Sequence, residues 1–159
     1  MPRFASAREM FEAASEAARD AERISRQLAE MDESSLSIGG GGFEPRVRST
    51  PDPDRIGRAV SVTMDYGEVL RMRQDEDYRL IDACCIVLYG EDNRGGLWAL
   101  TGWWADAIYH HYLALRTWEF TGKLLGYSAE HCCRCASAAF DVADAWGMAS
   151  VVDGMGNAT

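Results

Sequence analysis

The sequence predicts an all-α protein: a long N-terminal helix of coiled-coil character, then a helical core that ends in a helix-turn-helix. Three observations carry this. Apolar residues recur in steps of three and four through the first 34 residues. They recur again at helical steps between Asp54 and Tyr89, and once more between Trp98 and Leu115. The two patches of strand-like composition, VSVT at 60–63 and IVL at 86–88, both lie inside long helical flanks. Composition divides the chain into a helix at 1–34, a Gly/Pro-rich linker at 35–53, a middle helical region at 54–94, a helix-turn-helix domain at 95–150 and a tail at 151–159.

In the first element the row runs Phe4, Ala7, Phe11, Ala14, Ala18 and Ala21, and resumes at Ile24, Leu28 and Met31 after one short step. Glu, Asp and Arg fill its flanks, so the row approximates a heptad seam. A narrow, alanine-rich stripe is weak alone and must pack on something: the body of the protein or a second copy of the chain. Four consecutive glycines, Gly39 to Gly42, and prolines at 45, 51 and 53 then mark a flexible connector with a stiffer end. A phosphate-cradling loop would need a preceding strand and a following Lys-Ser or Lys-Thr, and both are missing. Between Asp54 and Tyr89, Gly67 and the charged stretch Arg73–Asp77 leave one helix or two open. Gly90 closes the region. In the third block Trp104, Ile108, Tyr112 and Leu115 share a face.

The 159 residues suffice for a core without disulfides or metal, and 47% apolar with 26% charged residues excludes wholesale disorder. No apolar run approaches the roughly 20 residues of a membrane span. The N-terminus carries acids and lacks an apolar signal region, so the expected location is the cytoplasm, with no membrane partner. There the five cysteines act as small apolar residues. The net charge of −9 opposes generic polyanion binding.

Thr117 to Asp144, TWEFTGKLLGYSAEHCCRCASAAFDVAD, meets the physical demands of a helix-turn-helix. Such a motif needs a small residue where the helices cross, a glycine in the turn, and buried apolar positions on both sides. Gly122 is the crossing residue, Leu125 the last buried position of the first helix, Gly126 the turn glycine, and Tyr127 the plug of the turn. Thr117 and Ser128 are N-caps. Cys132 and Cys135 face inward. Thr121 stands where an aliphatic residue is usual.

This stretch resembles the C-terminal promoter-reading domain of sigma factors. More closely, it resembles the sigma-like helix-turn-helix of RinA/ArpU-type phage late-transcription regulators. The shared pattern is Tyr112-Leu113 ending a helix, a short turn, then Thr117-Trp118-Glu119, Gly122-Lys123 and Gly126-Tyr127-Ser128. It covers about 35 residues; over the first hundred only the layout is similar. The resemblance implies a phage- or prophage-type transcriptional regulator that binds double-stranded DNA and has RNA polymerase as a partner. The N-terminal helix would dimerise it or dock it on the polymerase. It implies that the helix from Ala129 enters the major groove, exposing Ala129, Glu130, His131, Cys133, Arg134 and Ser137. Arg134 would read guanine and Glu130 a cytosine amino group. Thr117, Trp118, Lys123 and the capping Ser128 would lie near phosphates. From Leu97 onward three Lys or Arg face six Asp or Glu, a net −3. Ala129 and Cys133 stand where longer polar side chains are common, and Phe120 replaces an acid. This weakens a monomer on DNA.

Two other readings keep the fold: the DNA-recognition subunit of a phage terminase, and a protein–protein adaptor without DNA. An enzyme is not expected. His131, Cys132, Cys133 and Cys135 hint at zinc, but a structural site needs four ligands and only Cys84 or Cys85, on another helix, could complete it. No metal or cofactor is expected. A nucleophilic cysteine paired with His131 lacks both geometry and an oxyanion donor. His110 and His111 read as interface or half-buried residues, and Asp75–Asp77 as a solvated face.

Overall fold

The computed structural model describes residues 4–37, 53–148 and 151, with side chains at 4–34, 65–148 and 151. Of the linker expected at 35–53, residues 35–37 belong to the first helix and 53 opens the second; 38–52 and most of the tail at 151–159 fall outside the described residues. Among the described residues the chain is helical, without strands. The helices are α1 (Ala7–Ser37), α2 (Pro53–Tyr89), α3 (Gly96–Thr101), α4 (Trp103–Ile108), α5 (Trp118–Leu125) and α6 (Ala129–Trp146). No helix among the described residues is long and apolar enough to cross a membrane.

The chain groups into two compact units, Met1–Arg19 with Asp77–Thr159, and Asp20–Glu76. Both long helices therefore contribute to both units, cutting across the boundaries that composition suggests. Within the first unit, one core gathers Ala7, Met10, Phe11 and Ala14 of α1 with Cys84, Val87 and Leu88 of α2. Leu97, Ala105, Ile108, Leu113, Ala136, Ala139, Phe140, Ala143 and Val151 complete it. Phe11 is fully buried and meets Phe140 at 5.5 Å between ring centres, and Tyr112 edge-on at 6.5 Å. Each of the two fully buried phenylalanine rings contributes about 1.5–3 kcal/mol by burial alone.

The N-terminus of α1 is satisfied twice. The Ser6 hydroxyl accepts from the Glu9 amide at 3.2 Å, and the Asp144 carboxylate accepts from the Ala7 amide at 2.6 Å. A carboxylate there also meets the positive end of the helix dipole. The row that read as a heptad seam is spent inside this chain: Ala7, Phe11, Ala14, Ala18, Ala21 and Ile24 are all buried. A homodimer through that row would have to expose it first, so the seam is corrected to an internal contact.

α2 is one helix through Gly67 and the charged stretch. In the second unit its inner side is tied to α1 by polar contacts: Gln74 donates to the Ala21 carbonyl at 3.2 Å and to Ser25 at 2.7 Å, and Arg73 pairs with Asp20 at 3.0 Å. Leu70 and Ile24 are buried there.

The block expected as one helix over 98–115 is three pieces. Gly102, at φ 60°, separates α3 from α4. α4 then widens into a π-helical turn over Tyr109–Leu113, and Leu115 leaves it in the left-handed region at φ 57°. Leu115 thus does not extend the face of Trp104, Ile108 and Tyr112. π-turns need an extra residue per turn, and nothing in the YHHYL composition marks where it enters.

Candidate nucleic-acid interface

α5 and α6 are joined by three residues whose local chemistry follows the sequence closely. Thr117 is extended and its hydroxyl accepts from the Phe120 amide at 3.2 Å; Ser128 does the same for His131, also at 3.2 Å. Gly126 is left-handed at φ 84°, ψ 27°, where a side chain is strained. The amides of Gly126 and Tyr127 both donate to the Gly122 carbonyl at 2.9 Å, closing the helix end. Gly122 lies under the turn: a Cβ there would sit 2.5 Å from the Tyr127 carbonyl oxygen and 3.1 Å from the Ala129 nitrogen. Only glycine allows that approach.

The inward side of α6 is Cys132, Cys135, Ala136, Ala139, Phe140 and Ala143, all buried against the core. Cys132 and Cys135 are free thiols filling the space of small apolar residues, and burial pushes both thiols above their ordinary range. Thr121 is fully buried and its hydroxyl has no hydrogen-bond partner. The sequence singled it out, and the structure buries it completely.

The outward side carries the proposed contact residues. Glu130, His131, Cys133 and Arg134 are exposed and Ala129 is half-buried. Glu130 and Arg134, one turn apart, share a face. Ser137 is different: its hydroxyl accepts from the Arg8 guanidinium at 2.5 Å, and Arg8 also covers the Phe140 ring. The side of α6 beyond Arg134 is thus partly covered by α1. Thr117 and Lys123 are exposed, but Trp118 is half-buried, stacked on His111 at 3.8 Å. The His111 Nδ1 is 2.8 Å from the Arg116 carbonyl, and burial holds the pKa of this imidazole below its ordinary value. Trp118 therefore serves mainly to pack the entrance of α5.

Tyr127 does not plug the turn. It is 43% exposed and stacks flat on Trp103, with ring centres 4.1 Å apart. The plug expected from sequence is corrected to a surface stack that His131 flanks, 5.5 Å from Tyr127 and 5.6 Å from Trp103. His131 is also 3.7 Å from the Cys135 sulfur, so its ring is held from three sides. Sequence reasoning missed Trp103, Arg8 and Arg116. Arg116 lies over the Phe120 ring at 4.9 Å, making a third exposed cation beside Lys123 and Arg134. The arginines Arg46, Arg48, Arg55 and Arg58, which a basic patch would use, lie outside the described side chains.

The arrangement can present a short helix end with one arginine, one glutamate and one thiol to a groove. Among the described residues no group of three or more His, Cys, Asp or Glu is placed to hold a metal. No family model matches the chain, and comparison with curated proteins and with solved structures yields no match.

Proposed function

We propose that this protein is a DNA-binding regulator of phage or prophage type that reads double-stranded DNA with the first two turns of α6. The observation that supports the reading most is the α5–α6 pair itself. A left-handed Gly126, a glycine at a crossing that tolerates no side chain, and two hydroxyl caps fix α6 so that Glu130, Cys133 and Arg134 face solvent together. A preorganised helix end of this kind fits a major groove, where Arg134 reads guanine through O6 and N7. Arg116, Lys123 and Thr117 supply phosphate contacts, and RNA polymerase is the protein partner that the resemblance implies. Few cations are available, so affinity rests on base contacts more than on charge.

The test is selection of bound fragments from random duplex DNA at low salt, paired with Arg134→Ala. The expected result is a defined site that the variant no longer enriches, at a cost of about 1–3 kcal/mol. An unchanged site preference in the variant removes Arg134 from the reading, and no enrichment at all rejects DNA recognition. The adaptor reading has one observation in its favour: Phe120 and Leu124, one turn apart on α5, are 45% and 54% exposed. Failure of the selection together with loss of a protein partner in Leu124→Glu would establish it.

A further inference from the structure

The second unit contains a helix face that the described residues leave in solvent. On α2, Tyr66, Val69 and Met72 are 49%, 51% and 66% exposed, and spacings of three residues make them neighbours along one side. Exposed apolar side chains gathered on one helix face mark an interaction surface. The opposite side of the helix, with Leu70, Gly67 and Gln74, is already committed to α1. Two charged residues flank the apolar row at equal distances from its centre: Asp65 four residues before Val69 and Arg73 four residues after, both exposed.

We infer that this face binds a second copy of the chain, α2 against α2 in antiparallel register with the dyad at Val69. In a twofold contact each position before the dyad meets its mirror position after it. Tyr66 of one copy then meets Met72 of the other, Val69 meets Val69, and Asp65 meets Arg73, twice. The face is self-complementary in shape class and in charge, which is the pattern a second copy requires and an unrelated partner does not. Arg73 keeps its Asp20 contact within the chain and turns its exposed side to the incoming Asp65. The α1 row cannot do this work because it is buried. The inference stands apart from the DNA reading, since no residue is shared between the two surfaces.

Sedimentation of the full chain at low salt tests it, with two charge variants. Wild type is expected to associate to a dimer as its concentration rises through the micromolar range. Asp65→Arg places arginine against arginine, and Arg73→Asp places aspartate against aspartate; each is expected to weaken self-association at least tenfold. An equimolar mixture of the two variants restores both opposite-charge pairs and is expected to regain the dimer. A wild type that stays monomeric, single variants that associate like wild type, or a mixture that remains monomeric would each overturn the proposal.

Discussion

Thr121 shows most directly how one side chain departs from its site. Its hydroxyl is fully buried and finds no hydrogen-bond partner among the described residues. A buried hydroxyl of this kind costs about 1–3 kcal/mol. Thr121→Val keeps the shape and removes the unpaired group, so it is expected to raise stability by about 1 kcal/mol in chemical denaturation; a loss of stability would show that the hydroxyl is satisfied. Cys84 makes a second residue-level case. Burial, and then the neighbouring Cys85, push its thiol from 9.0 up to about 12. Between those values the unfolded chain has released the proton and the folded chain still holds it. Stability therefore is complete below pH 9 and falls as pH rises toward 12. Melting temperatures from pH 8 to 11 should decline, and Cys84→Ala should flatten that decline. The same slope in the variant would place the alkaline loss elsewhere.

At the scale of elements, α1 carries the main departure from expectation. Most of its apolar row was legible, because steps of three and four are a local property of the helix, although Met10 and Ala17 are buried beside it and Phe4, Leu28 and Met31 only half so. What covers the row was not, because Phe140, Ser137 and Asp144 lie more than a hundred residues further along the chain. Asp144, one of the six acids counted against DNA binding from Leu97 onward, is a cap for α1. If α1 were a free tether, Phe11→Ala would change little; as part of the core it should cost about 3–5 kcal/mol. Denaturant titration of the two proteins decides between these. The α5–α6 pair was the opposite case. Its caps, crossing glycine and turn glycine are fixed by backbone requirements a few residues apart, and sequence is sufficient to place them. Tyr127 escaped because its stacking partner, Trp103, sits 24 residues earlier at the start of another helix, on the far side of the π-turn. His131 is drawn into the same stack for that reason.

For the whole molecule, charge is the property that any function must accommodate. A net −9 leaves three exposed cations, Arg116, Lys123 and Arg134, on the surface proposed to meet DNA. Non-specific attraction to phosphate is then weak and strongly salt-dependent, and recognition depends on the few residues at the start of α6. Cys133 stands among them, exposed, while Cys84, Cys132 and Cys135 are buried. It therefore reports directly on whether that surface is covered. The decisive measurement is the rate at which Cys133 is modified by a thiol reagent, with and without the duplex site recovered by the selection, at low salt. Protection of several-fold that added salt reverses is the predicted result. A rate unchanged at the highest DNA concentration would contradict the proposal that α6 enters a DNA groove.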